Sequence, residues 1–191
     1  MDIAGDLFIL RHGETRWNAE GRLQGHLDSP LTDRGVAQAR AQRAILAPVL
    51  PGGSVARVSP SPRAMQTAEI ALAGLDVPAA KDARLLEVDL GTWQGHTLDE
   101  IAAANPHVAE NQDPHLWKFT APGGESLEHM TARCRAVLED ITGPTVLVTH
   151  GVTSRLLRCL ALGMSPTGLA ALPGGQGVVH RLSAGVAQIL P

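Results

Sequence analysis

Two histidines stand directly after short apolar runs. Leu7-Phe8-Ile9-Leu10 leads into Arg11-His12-Gly13-Glu14-Thr15, and Thr145-Val146-Leu147-Val148-Thr149 leads into His150-Gly151. Imidazole, with an unperturbed pKa of about 6.5, is neutral over much of the physiological range and can attack an electrophile without a base to deprotonate it. Arg11 adds a planar guanidinium suited to bidentate contact with an oxyanion such as phosphate. Gly13 would let backbone approach a ligand closely. Arg63, in Ser59-Pro60-Ser61-Pro62-Arg63-Ala64, falls at the start of a predicted helix, where a cation opposes the helix dipole. An anion bound there would relieve the conflict, and the helix after His150-Gly151 could aim its own N–H groups at the same anion. Singly, each residue is as readily a solvated or packed side chain. Jointly they describe a nucleophile beside a local positive cluster.

The elements that must bring these residues together alternate in type. Leu7-Phe8-Ile9-Leu10 reads as a buried parallel strand. Thr32 can cap a helix over residues 33–46, ended by Pro48 and Pro51-Gly52-Gly53. A second strand is expected over 55–58, and Ser61-Pro62 opens a helix to about residue 73. A weaker extended stretch is expected at 83–86, then a loop at Gly91-Thr92-Trp93-Gln94-Gly95 and a short helix from Thr97 to Asn105-Pro106. Residues 105–124 are the least regular. A helix over 126–141, the strand at 145–149, a helix to about 162 and a closing hairpin at 178–190 complete the chain. Strands alternating with helices imply an α/β sandwich on a mostly parallel sheet, in a single domain spanning residues 1–191. Open sheets of this kind bind ligands at the carboxyl ends of their strands, where His12 and His150 fall.

Composition narrows the ligand. With 191 residues, 44% hydrophobic and 18% charged, the chain suits a globular domain with a real core. A net charge of −3 offers no footprint for nucleic acid or an anionic membrane. Neither a membrane span nor, from the two acids and missing basic segment in Met1-Asp2-Ile3-Ala4-Gly5-Asp6, a leader is expected, so the reading is cytoplasmic. Cys134 and Cys159 fit no metal or redox spacing and read as buried free thiols. His26, His96, His107, His115, His129 and His180 lack metal-ligand spacing and are read as non-catalytic. A His12–His150 metal pair is conceivable, but the neighbouring arginines would repel a cation. No metal or cofactor is therefore expected. Gly174-Gly175-Gln176-Gly177 lacks the lysine and helix of a phosphate-cradling loop and reads as a plain turn.

Four motifs in order carry a family resemblance: Arg11-His12-Gly13-Glu14-Thr15; Arg63-Ala64 with Thr67-Ala68; Glu87 with Gly91-Thr92-Trp93-Gln94-Gly95; and Val148-Thr149-His150-Gly151. Over residues 7–162 the chain resembles the phosphoglycerate mutase-like branch of the histidine phosphatase superfamily. The resemblance implies a three-layer α/β/α sandwich. It implies His12 as phosphoryl acceptor, Arg11, Arg63 and His150 as the phosphate pocket, and Glu87 as proton donor. Asn18, Gln24, Gly25 and, from the His150-Gly151 motif, Gly151 would line the substrate side. Gly123-Gly124-Glu125-Ser126 matches a further family segment. Glu14 reads as structural, and Trp93 as packing around the Glu87 loop. Ser61-Pro62 stands where the family more often has leucine and a variable residue, and Gly175-Gln176-Gly177 lacks a frequent asparagine; both bear on the pocket rim.

Phosphoryl transfer needs charge on the equatorial oxygens and a proton for the leaving alkoxide. Glu87 would give that proton and then take one from water, which requires a raised pKa from partial burial or from the substrate's charge. The expected activity is a metal-independent phosphomonoesterase acting on a small phosphorylated metabolite through a phosphohistidine on His12. The alternatives are a phosphoglycerate mutase-type isomerase and, more remotely, a catalytically silent phospholigand-binding protein. Residues 96–120 hold one basic side chain apart from histidines, Lys118, where dedicated mutases of the family carry a longer insertion with adjacent arginines. That favours the phosphatase. Trp117 and Lys118 are either selectivity residues or a packed and a solvated side chain. Oligomeric state is open, with a homodimer as one option.

Overall fold

The computed structural model describes residues 5–110 and 113–191. The leader reading on residues 1–4, residues 111 and 112 of the irregular stretch, and the side chain of His107 lie outside the described residues. In chain order the elements are β1 (Leu7–Arg11), α1 (Arg16–Ala19), α2 (Asp33–Leu46), β2 (Val55–Val58), α3 (Pro62–Ala71), β3 (Ala79–Lys81), α4 (Leu98–Ala104), α5 (Pro106–Glu110), α6 (Leu127–Glu139), β4 (Thr145–Thr149), α7 (Gly151–Ala161), β5 (Val179–Ser183) and β6 (Val186–Leu190). Among the described residues no helix is long and apolar enough to cross a membrane.

The sheet runs β3-β2-β4-β1-β5-β6. Its first four strands are parallel, and β5 and β6 close it as an antiparallel hairpin. Side chains alternate along β1. Leu7 and Ile9 join a core cluster with α6 and α7, whereas Phe8 and Leu10 join one with α2 and α3. Burial on both faces explains the unbroken apolar run and makes the molecule a three-layer α/β/α sandwich.

Side-chain caps set the helix starts. Thr32 accepts from Gly35 N, Ser126 from His129 N, and Thr97 shares a reciprocal capping box with Glu100. Ser61 makes no such bond; its hydroxyl lies 3.4 Å from His150 Nε2 instead. The extended stretch expected at 83–86 is displaced: Ala83–Leu85 is a 3₁₀ turn and the edge strand is Ala79–Lys81. Three exposed residues, Ala-Ala-Lys, give no hydrophobic pattern, so only pairing with β2 defines that strand. The stretch read as a loop after His12 contains α1, and the irregular region contains α5 and a 3₁₀ segment, Leu116–Thr120.

Strand register places the histidines. Arg11 pairs with Thr149 in the parallel β1–β4 ladder, so His12 and His150, each one residue on, leave the sheet side by side. Ser59 leaves β2 next to them, its N–H donating to Val148 O. Gly13 is required for a reason other than ligand approach: a Cβ there would overlap the backbone of Gly35 at the start of α2.

Candidate active site

The rings of His12 and His150 lie 5.2 Å apart between centroids, at 63°. His12 Nδ1 is 2.8 Å from Gly13 O. A carbonyl only accepts, so Nδ1 carries the proton and Nε2 keeps a lone pair. Burial first, then the charge a protonated His150 would carry and the charges of Arg11 and Arg63, push the His12 pKa well below its ordinary value. His12 is a neutral imidazole with a free nitrogen.

His150 is fully buried. Arg63 Nη2 donates to its Nδ1 at 3.2 Å, which puts the proton on Nε2, where it meets Ser59 Oγ at 2.7 Å. Burial and the guanidiniums of Arg63 and Arg11 keep this ring neutral too. The positive charge beside His12 thus comes from the arginines, with His150 behind them.

Arg63 is only 2% exposed. Its Nη1 donates to Leu27 O and Asp28 Oδ1, and its Nη2 to Gly25 O and His150 Nδ1. Four of the five donors of a guanidinium are thereby used, and the fifth, Nε–H, is buried with no partner. Arg11 Nε is in the same state. The anion expected to relieve Arg63 at the start of α3 is the protein's own Asp28, whose Oδ1 also accepts from Arg63 N at 3.3 Å.

The start of α7 is likewise occupied from within. Glu87 accepts from Val152 N on Oε2 and from Val88 N, Thr153 N and Thr153 Oγ1 on Oε1, at 3.0–3.1 Å. The amides expected to face a ligand therefore face a carboxylate. Burial alone would raise the Glu87 pKa, but the four donors outweigh it and the net shift is downward. Of the two expected sources of a raised pKa, burial is therefore outweighed in the free protein, which leaves the substrate's charge. Oε1 takes three donors and Oε2 one, so Oε2 keeps the free lone pair.

A cavity of about 240 Å³ is lined by Arg11, His12, Asn18, Gln24, Gly25, Arg63, Glu87 and Gly151, every expected site residue except His150. Asn18 caps α1: its Oδ1 accepts from Thr15 N and Gln176 Nε2, leaving the amide donors of Nδ2 available. Gln24 is buried, and Gly25 contributes the carbonyl that holds Arg63. Glu14 is structural, accepting from Thr32 Oγ1. Trp93 is buried against Trp117, ring centroids 5.8 Å apart.

Of the remaining wall residues, Lys118 was expected as either a selectivity residue or a solvated side chain and His115 as non-catalytic, while Arg22 and Arg155 were not recognised in the sequence. Arg22, His115, Lys118 and Arg155 line the same cavity. Arg155 lies four residues after Gly151 on α7, a helical spacing that offered a signal. The Gly174–Gly177 turn is also part of the frame, because Gln176 Nε2 donates to His12 O at 3.1 Å. Arg133, bridged to Glu125 at 2.7 Å, donates to the carbonyls of Leu86 and Glu87 and so fixes the backbone there. Cys134 and Cys159 are buried and free.

A neutral imidazole, two guanidiniums and a buried carboxyl line one small cavity, an arrangement chemically suited to an oxyanion ester. Residues 7–186 match the histidine phosphatase superfamily (branch 1), and the chain belongs to that family. Among its relatives, phosphoserine phosphatase 1 of Hydrogenobacter thermophilus is 32% identical over 83% of this chain and 76% of its own. A probable phosphoglycerate mutase GpmB of an Enterobacter species is 33% identical, with 83% and 75% covered. Among solved structures, Bacillus stearothermophilus YhfR superposes with a TM-score of 0.82 at 33% identity, covering 97% of this chain and 95% of that one. A mycobacterial glucosyl-3-phosphoglycerate phosphatase solved with VO3 gives 0.79 at 33% identity, covering 93% and 90%.

Proposed function

We propose that the protein is a metal-independent phosphatase of small phosphate monoesters that works through a phosphohistidine on His12. The observation that carries this reading is the His12 tautomer: Nδ1–H is committed to Gly13 O, so the Nε2 lone pair is the one available on a cavity-lining ring. In the first step Nε2 attacks phosphorus as the ester P–O bond breaks. The guanidiniums of Arg11 and Arg63, with the Asn18 amide, take the equatorial oxygens. Glu87 Oε2 gives its proton to the departing alkoxide. In the second step water attacks phosphorus, Glu87 takes the water's proton, the N–P bond breaks, and His12 returns neutral. Gln24, Gly25 and Gly151 shape the wall around the ester. His150 holds Arg63 in place and is the group on which a bound dianion would favour a proton.

Glu87 must be protonated to begin, although its donors favour the carboxylate. Like-charge repulsion from a bound phosphate dianion is what raises its pKa in the complex. Metal independence follows from cations already supplied by arginine.

The test is single-turnover reaction of a ³²P-labelled monoester in excess chelator. Expected are an alkali-stable, acid-labile label on the protein and steady release of inorganic phosphate, with His12→Ala losing both by at least about 10³-fold. Release by His12→Ala at an undiminished rate would remove His12 as nucleophile, and dependence on added metal would remove the mechanism. With 3-phosphoglycerate and 2,3-bisphosphoglycerate, 2-phosphoglycerate appearing without free phosphate would identify the isomerase instead.

A further inference from the structure

At the end of β1 the backbone carbonyls are held by side chains rather than by a strand. The antiparallel ladder between β1 and β5 runs from Leu7↔Leu182 to Ile9↔His180 and stops there. Beyond it the fully buried Gln42 of α2 stands between the strands, its Nε2 donating to Arg11 O at 2.9 Å and to Val178 O at 3.1 Å. One residue further along β1, Gln176 Nε2 donates to His12 O at 3.1 Å and to Asn18 Oδ1 at 3.2 Å. The consecutive carbonyls of Arg11 and His12 each receive a glutamine amide, and both hydrogens of each amide are used.

Backbone groups fix the sense of these bonds. His12 O can only accept, so the Gln176 atom facing it is the nitrogen. Thr15 N can only donate, so the Asn18 atom it meets at 3.2 Å is the oxygen. Asn18 Oδ1 therefore takes two donors, which leaves both Nδ2 hydrogens free on a residue that lines the cavity. Donors on the oxygen also polarise the amide and strengthen its own N–H groups.

The turn that carries Gln176 is anchored at both ends. From α7, Arg158, only 3% exposed, donates to Pro173 O at 2.8 Å and Arg155 donates to Leu172 O at 3.2 Å. Gln42 holds Val178 O at the other end. On either side of Gln176, Gly175 at φ 137° and Gly177 at φ 80° adopt backbone that a side chain would strain, which lets so short a turn bring the glutamine to His12.

We infer that Gln176 is a positioning residue for phosphoryl transfer: by bridging His12 O and Asn18 Oδ1 it fixes the nucleophile against a donor to the equatorial oxygens. A displacement of about 1 Å between such groups costs up to about 100-fold in rate. Gln176 acts through His12 and Asn18 and is not itself part of the cavity wall. The role rests on the phosphatase reading for the identity of the reacting groups.

The test is a double-mutant cycle on p-nitrophenyl phosphate. Gln176→Met keeps the length of the side chain and removes its donors. It should cut kcat/KM by about 10-fold in the otherwise unaltered protein. With Asn18→Ala already present the loss should be at most about 3-fold, the remainder being the bond to His12 O. Equal losses in the two backgrounds, or no loss in either, overturn the role. Gln176→Glu adds a readout that a residue merely stabilising the turn would not move. A carboxyl there faces two acceptors and can donate only when protonated. Its kcat/KM relative to the unaltered protein at the same pH should rise at least about 3-fold from about pH 7.5 to about pH 5. A flat ratio overturns the role, and this ratio decides alone if Gln176→Met does not fold. Calorimetric Kd values for inorganic phosphate on the proteins of the cycle make the same comparison without turnover. Phosphate affinities coupled between Gln176 and Asn18, with no hydrolysis of any ester, keep the positioning and sink the phosphatase. Hydrolysis with additive losses does the reverse.

Discussion

The starts of α3 and α7 look alike in the sequence and differ in what fills them. Each follows a strand of the parallel sheet, and each was expected to receive an anionic ligand. Each instead receives a carboxylate from elsewhere in the chain, Asp28 at α3 and Glu87 at α7. Asp28 faces a guanidinium, with Arg63 Nη1 at 2.9 Å. Glu87 is hydrogen-bonded by amides and a hydroxyl, donors without formal charge, while the charges of Arg11, Arg63 and Arg155 act on it from further off. A carboxylate paired with a fixed cation balances that charge and holds the guanidinium in place. One held by neutral donors can accept a proton once a second negative charge arrives. The first arrangement fixes the arginine proposed to bind phosphate; the second suits the group proposed to give and take protons.

The comparison breaks most decisively at Glu87. Glu87→Gln keeps the size of the side chain and removes the transferable proton. Turnover of an alkyl phosphate should fall by about 10²–10⁴-fold. A p-nitrophenyl ester, whose leaving group departs without a proton, should fall far less. Steady-state rates on both esters check this, and equal losses would make Glu87 a helix cap and nothing more.

Asp28 should behave as a structural partner. Asp28→Asn leaves Arg63, whose side chain is 1% exposed, without its compensating charge. The expected cost is about 1–3 kcal/mol in chemical denaturation. Saturating inorganic phosphate should recover more of the stability in this variant than in the wild type, because the ligand replaces the missing charge. An equal phosphate effect in both proteins would mean that Arg63 does not bind the ligand.

What the sequence revealed follows the range of each signal. The strands ending at His12 and His150 were legible because both their faces are buried and their apolar runs are unbroken. Caps at Thr32 and Thr97 were legible because a cap is a local bond. The edge strand Ala79–Lys81 was not, since its pairing partner lies more than twenty residues away. For the site, the motifs supplied the residues on the cavity wall but not their partners. Asp28, Thr153, Arg133 and Gln176 carry no local sign that they hold Arg63, Glu87 and His12. Lys118 and Arg155 lie thirty-seven positions apart, and only the packing of the Leu116–Thr120 segment beside α7 brings them to one cavity.

The smallest expected effect tests the neutral donors themselves. Thr153→Val removes the hydroxyl whose one hydrogen is shared between Leu86 O at 2.8 Å and Glu87 Oε1 at 3.0 Å, while the Thr153 amide stays. With one donor fewer, the carboxylate is less favoured and the Glu87 pKa rises. Protonated Glu87 then persists to higher pH, so the alkaline limb of kcat for an alkyl phosphate should move up by about 0.5–1 unit. The same change has a second consequence in the free protein. A carboxyl whose folded pKa is lowered stabilises the fold above the unfolded value, and that stability is lost as pH falls through the folded pKa. Removing a donor shrinks the contribution, so below about pH 4.5 the variant should lose stability less steeply than the wild type. An unmoved alkaline limb together with an unchanged acid slope would mean that Thr153 does not tune the proton, and Glu87 would then differ from Asp28 only in its address.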